Sequence, residues 1–259
     1  MADSDLSIDT AQLKTVKLKP LALAAAGLTG ADVERLIREA RQKARREQRR
    51  LSYSDIETAF TAGQAAMPPN VIWRIAVHES GHALAYELSG IADVQTMSIG
   101  NGNGGFVASK RKVDRIENEA WLDQYLSCIL AGRAAETLFF GDTVMGSGGN
   151  EVSDLARATK LATDAEAACG FGKTQPLLYR SVQDQPSLLS LDRQLAGQVH
   201  ARLEAAEHRA MELLSKNRVM LLALATRLAQ AKVLDGSEVK ALLSAEAKAA
   251  AEIPDNITP

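Results

Sequence analysis

The pentapeptide His78-Glu79-Ser80-Gly81-His82 constrains this chain more than any other stretch of it. In a helix, two imidazoles four residues apart project from one face, where both can grip a single zinc ion. The glutamate between them lies about 100° round the helix from the first histidine, close enough to act on a zinc-activated water. The chain has only four histidines, and two of them fall here. Ile72, Ile75, Ala76, Ala83 and Tyr86 recur at spacings of three and four residues, and Gly90 supplies a stop. The pattern predicts a mostly buried helix over about 70–90, with His78 and His82 facing inward. Buried neutral histidines need partners, and a metal is an efficient one. The plainer alternative is two core histidines bonded to backbone carbonyls, with Glu79 at the surface.

Composition points to a mainly helical fold. Of 259 residues, 46% are hydrophobic and only 4% aromatic, alanine is abundant and β-branched runs are few. A net charge of −2 argues against a polyanion-binding protein, so no nucleic-acid partner is expected. Cys128 and Cys169 are too few and too far apart for a disulfide framework, and both read as reduced core residues. The acidic start Met1-Ala2-Asp3-Ser4-Asp5 lacks signal-peptide character. The apolar runs 21–27 and 219–225 fall short of the ~20 residues a membrane helix needs. A cytoplasmic protein without an integral membrane segment is expected.

Residues 1–20 and 246–259 read as flexible ends. Thr29 is a candidate N-cap, with Asp32 at the third helical position. The helix that follows runs into the stretch 41–50, where six of ten residues are basic. No aromatic residues interleave, so a solvated helix end is the reading. Ser54 with Glu57 suggests a capping box for a further short helix reaching Thr61. Met67-Pro68-Pro69-Asn70 reads as a linker between this small helical unit, 21–66, and a larger domain, 67–245. Residues 94–99 and 105–109 form two short strands around the turn 100–104. A strand edge there can hold an extended peptide through main-chain hydrogen bonds, and a purely structural hairpin is the alternative. Helices are expected over 117–140 and 151–169, then an irregular segment over 173–195. An antiparallel packed pair of helices through Val199–Leu213 and Leu221–Leu228 follows. Gly172-Lys173-Thr174 ends like a phosphate loop, but Ala167 stands where that pattern needs glycine, and a helix precedes it.

A catalytic zinc site takes three protein ligands and keeps one position open. His200 and His208 sit on a charged amphipathic helix and read as surface or packing residues. Carboxylates are better candidates, with Asp154 the strongest and Glu136 its rival.

Several ordered motifs share one resemblance. His78-Glu79-Ser80-Gly81-His82-Ala83-Leu84-Ala85-Tyr86 looks like the zinc helix of the FtsH family of membrane-anchored, ATP-dependent zinc proteases. Ala131-Gly132-Arg133-Ala134-Ala135-Glu136 with Phe140-Gly141 resembles that family's GGRAAE…FG segment, and Ser153-Asp154-Leu155 with Ala158-Thr159 its NDL..AT segment. Leu203 to Ala225 is similar to its C-terminal helices, and Gly27 to Val33 to the GFSGADL segment in the lid of its AAA+ module. The likeness covers about residues 21–245.

The resemblance implies a helical zinc-peptidase domain with a small β-hairpin, preceded by a short AAA+ lid remnant. It implies Zn2+ as cofactor, held by His78, His82 and Asp154, with Glu79 as general base. Glu136 and Arg133 would stand behind the ligands, and Gly105, Phe106, Val107 and Ala108 would bind substrate. The implied activity is zinc-dependent endopeptidase cleavage of unfolded polypeptide. The implied partners are a hexameric ring of like subunits and a separate AAA+ ATPase. The family's nucleotide-binding subdomain and membrane segments have no counterpart in the sequence. The chain is therefore expected to be either a stand-alone relative or the C-terminal part of a longer protein. The competing expectation is a non-catalytic ring-assembly or peptide-binding partner of a full-length ATP-dependent protease.

Overall fold

The structure, a computed structural model, describes residues 29–62, 67–100, 104–181 and 185–251, together with Leu18, Leu21, Ala22 and Ala25. Two compact units divide the chain, residues 1–67 with 100–103 and residues 68–99 with 104–259.

In the first unit, α1 (Gly30–Arg46) opens on a reciprocal capping box between Thr29 and Asp32, as the sequence indicates. Helix α2 (Tyr53–Thr61) also has a capping box, but Ser52 and Asp55 form it, not Ser54 and Glu57. The chain satisfies the same serine-acid spacing two residues earlier. Arg49 holds Asp55 there through paired contacts of 2.6 and 2.7 Å. Leu21 and Phe60 are buried with Val33, Leu36, Ile37, Tyr53 and Ile56 around them. The side chains of the basic stretch 41–50 are exposed, with Ala44 alone buried.

The second unit is built on two long helices. Helix α3 (Pro69–Ser89) starts with proline at its first position, where the missing N–H costs nothing, and stops at Gly90 in the left-handed region, φ 66°. Helix α4 (Glu119–Phe140) is capped by Asn118 and stops in the same way at Gly141, φ 74°. The two helices pack along each other. A Cβ added at Gly81 would lie 2.5 Å from the Ala131 carbonyl oxygen and 2.8 Å from Ala135 Cβ, so glycine is what lets the helices approach this closely.

A three-stranded antiparallel sheet of order β2-β1-β3 accompanies α3. It consists of β1 (Ala92–Ile99), β2 (Gly105–Arg111) and β3 (Val233–Asp235). The hairpin matches the sequence reading, although the tip of its turn, 101–103, lies outside the described residues. Strand β3 was not anticipated, because three residues between two helices carry no period-2 signal.

Helices α5 (Asp154–Ala167), α6 (Gln185–Leu191), α7 (Arg193–Lys216), α8 (Arg218–Ala231) and α9 (Gly236–Ala251) complete the described chain. Helix α6 falls in the segment expected to be irregular. The expectation of an antiparallel pair also needs correction. Helix α7 packs on α4 and α5 while α8 packs on α3, and α7 and α8 touch each other little. Leu122, Leu126, Ile129 and Leu130 of α4 meet Ala158, Ala162 and Ala165 of α5 and Leu195, Val199 and Ala206 of α7. The alanine face of α5 lets it sit close against leucine-rich neighbours. Burying each of those leucines contributes roughly 1.5–3 kcal/mol. Among the described residues, no helix is long and apolar enough to cross a membrane.

Candidate metal centre

Helix α3 delivers His78 and His82 to one face, four residues apart, with ring centroids 4.8 Å apart. Helix α5 brings Asp154 at its first turn. Ser153 caps that helix and accepts from the Ala156 N–H, so its backbone turns where Asp154 begins. Three atoms converge. His78 Nε2 lies 3.1 Å from His82 Nε2, and Asp154 Oδ2 lies 3.3 Å from the first and 3.1 Å from the second. Zinc bonds of ~2.0–2.1 Å at a tetrahedral angle separate ligand atoms by about 3.3 Å. The triangle fits.

The other ring nitrogens explain why. His78 Nδ1 is 2.6 Å from Glu136 Oε1, and His82 Nδ1 is 2.9 Å from the Cys128 carbonyl oxygen. Both partners only accept, so each Nδ1 carries the hydrogen and donates it. In the neutral rings both Nε2 lone pairs then face each other and the Asp154 carboxylate. Lone pairs and an anion at these distances repel unless a proton or a metal cation lies among them. The charge balance agrees. Burial presses the His78 imidazolium down, yet Asp154 and Glu136 outweigh it and lift the ring to about 10. Asp154 is itself pressed up by burial, but its bonds to His78 and His82 carry it well below the usual carboxylate range. The donor set asks for positive charge, and two imidazoles with one carboxylate are a zinc-type set.

Backbone geometry holds the cradle open. A Cβ at Gly132 on α4 would lie 2.5 Å from His78 Nε2 and equally hard against His82 Nε2. Only a glycine leaves room for both rings. A Cβ at Gly105, the first residue of β2, would lie 2.6 Å from Glu79 Cγ and 2.7 Å from Glu79 Oε1. Glu79 is buried, 6% exposed. Burial raises its carboxyl above the usual range, while His82 and His78 pull it back down.

The candidate residues separate accordingly. His78, His82 and Asp154 come together, Glu79 sits beside them, and Glu136 bonds His78 from behind. Arg133 is turned elsewhere and pairs with Glu207 of α7 at 2.9 Å. His200 and His208 are exposed on α7. Cys128 is buried and its thiol pushed up to about 11 by that burial. Cys169, read as a core residue, is exposed, because α5 has ended at Ala167 before reaching it. Sequence reasoning missed the Cys128 carbonyl, a backbone group without a sequence signal. At Gly132 the two imidazoles occupy the space a side chain would need. Sequence reasoning also passed over Arg74, whose signal was a cation one turn before His78 among apolar neighbours.

The model of peptidase family M41 matches residues 72–242, which span α3 to α9 and include all three converging side chains. The chain belongs to peptidase family M41. Curated relatives of this M41 chain agree. The ATP-dependent zinc metalloprotease FtsH 2 of Symbiobacterium thermophilum is 31% identical over 236 residues, covering 85% of this chain and 40% of the relative. The protein of the same name from Sphaerobacter thermophilus is 31% identical over 246 residues, covering 89% and 37%. FtsH 1 of S. thermophilum is 32% identical over 245 residues, covering 89% and 40%. This M41 chain thus spans about two fifths of the length of the relatives it matches.

Proposed function

We propose that the chain is a zinc metalloendopeptidase that hydrolyses peptide bonds of extended polypeptide. The observation that carries this is the triangle of His78, His82 and Asp154 with the buried Glu79 carboxylate beside it. His78 and His82 would hold zinc through Nε2 and Asp154 through Oδ2. A zinc ion there supplies Lewis acidity, which makes water a nucleophile near neutral pH and polarises a carbonyl.

Glu79 accepts the proton of the attacking water and returns it to the leaving amine. Its raised carboxyl suits that task, since a base with a pKa nearer the working pH both takes and gives the proton readily. Gly105 leaves the space in which this carboxylate moves. Strand β2 pairs with β1 on one side only, so its other edge offers unpaired main-chain groups next to Glu79. Gly105, Phe106, Val107 and Ala108 hold the substrate in extended form along that edge. The first unit acts as a remnant of an AAA+ lid. A ring of like subunits and a separate ATPase would bring unfolded chain to the site; the relatives' names support the dependence on ATP alone.

Glu79→Gln tests the proposal. The variant is expected to keep one zinc per chain and to lose cleavage of casein by about 10²–10⁴-fold. Full cleavage by that variant, or a wild-type chain that binds zinc but never cuts, alone or with a cognate ATPase, refutes the assignment.

A further inference from the structure

Arg74 lies one helical turn before His78 on α3, on the same face. Both side chains reach the same carboxylate. His78 Nδ1 donates to Glu136 Oε1 at 2.6 Å, and Arg74 Nη1 stands 3.5 Å from Glu136 Oε2. That second oxygen also accepts from the Val144 N–H at 2.9 Å. Glu136 is 1% exposed, so both its oxygens are occupied and its charge needs a partner at that depth. The guanidinium is fixed in turn. Its Cζ sits 4.3 Å over the Phe140 ring, and its Nη2 pairs with Asp142 just beyond the end of α4. Asp142 and Val144 belong to the loop that leads to Ser153 and Asp154. One arginine therefore touches both arms of the centre, the carboxylate behind His78 and the loop before Asp154.

We propose that Arg74 is a positioning residue for the metal centre: it fixes the Glu136 carboxylate, and through it the ring plane and tautomer with which His78 offers Nε2. This rests on the zinc reading above. A carboxylate gripped from one helix by a guanidinium on one oxygen and an imidazole on the other cannot turn, so the imidazole cannot turn either. Arg74 reaches no ligand atom directly. Its effect on the metal passes through Glu136, as outer groups behind a ligand histidine act in general.

The test uses the whole chain and reads the metal. Zinc affinity is titrated against a chromophoric chelator, and cobalt(II) is substituted so that its visible spectrum reports ligand geometry. For Arg74→Met, zinc affinity is expected to fall ~10–100-fold with an altered cobalt spectrum. In a Glu136→Gln background the same substitution is expected to change zinc affinity by less than about 2-fold, because both changes act on one contact. Wild-type affinity and spectrum in Arg74→Met, or losses that simply multiply with Glu136→Gln, overturn the proposal. If Arg74→Met does not fold, Arg74→Lys decides. It keeps the charge but loses the planar fork, so a severalfold loss with a shifted cobalt spectrum supports the role and wild-type values overturn it. A wild-type chain that takes up no zinc overturns the metal centre itself and this role with it. Normal zinc uptake by wild type with an indifferent Arg74→Met overturns the role of Arg74 alone.

Discussion

The two arms of the metal centre are built in opposite ways. His78 and His82 sit on a buried helix pressed against α4 by Gly81 and Gly132, with each Nδ1 tied to a fixed acceptor. Asp154 sits at the mouth of a loop with four glycines between 141 and 150. Val144, Met145 and Val152 of that loop are exposed, Met145 by 86% and Val152 by 82%. Helix α5 is braced at its far end instead. Arg202 of α7 is 8% exposed and binds Glu166 of α5 at 2.7 Å, Asp123 of α4 at 2.6 Å and Glu119 of α4 at 2.8 Å. One arm is set by packing at the metal itself. The other is set by a distant clamp and a short capped turn that follows an exposed loop. A packed pair of imidazoles would be preorganised for a metal before the carboxylate arm joins them.

The largest expected effect on zinc binding breaks the rigid arm. Gly132→Ala drives a Cβ into both imidazoles, and overpacking of this kind costs about 1–3 kcal/mol. Zinc stoichiometry is expected to fall close to zero. Gly146→Ala, whose Cβ would meet nothing nearer than 3.7 Å, is expected to keep wild-type zinc. Equal zinc content in the two variants, measured by atomic emission, dissolves the contrast between the arms.

Next is the clamp. Arg202→Met leaves Glu166, 5% exposed, without its cation, and breaking a buried ion network from one side costs about 3–5 kcal/mol. Chemical denaturation measures that loss. The comparison adds a second expectation, that zinc weakens too, because the helix bearing Asp154 loses its far anchor. A destabilised variant with unchanged zinc affinity shows that the anchor serves the fold only.

Asp154→Asn removes the carboxylate proposed as the third ligand. Zinc affinity is expected to fall by more than the ~10–100-fold typical of changes behind a ligand, with little change in unfolding free energy. Unchanged zinc occupancy points to Glu136 as the third ligand, although its two oxygens are engaged by His78, Val144 and Arg74.

What the sequence disclosed follows the same division. The zinc helix was legible almost to the residue, because a buried helix writes its period and its glycine stop into the chain, although Pro69 and Asn70, read as linker, are its first two residues. Asp154 stood out only as the strongest carboxylate, and the resemblance then supported it over Glu136, since a ligand at a loop-helix joint has no spacing rule to the pentapeptide. Strand β3 and helix α6 were too short to show a period. The separate packing of α7 and α8 was hidden for a different reason. Periodicity shows that a helix has an apolar face but not which neighbour covers it. Arg202 looks like any surface arginine in one dimension, and Arg74 stands out only as a cation among apolar neighbours. Their partners lie on other helices, and burial of a cation becomes visible only when those helices meet.

The smallest effect sharpens the comparison most. Ser153 touches no ligand atom, is 6% exposed, accepts from Ala156 N–H and donates to the Asn150 carbonyl oxygen at 2.7 Å. Ser153→Ala removes the N-cap of α5 and is expected to cost about 1 kcal/mol. In a chain of this size that lowers Tm by roughly 2–4 °C. The lost cap frees the first turn, and Asp154 is the first residue of that turn. If the carboxylate arm is tuned at this joint, zinc affinity drops severalfold while the His78 and His82 environment, followed by their ring NMR signals in the metal-free chain, stays as in wild type. If Arg202 alone decides where α5 lies, zinc affinity does not move, and the small loss in Tm is all that remains.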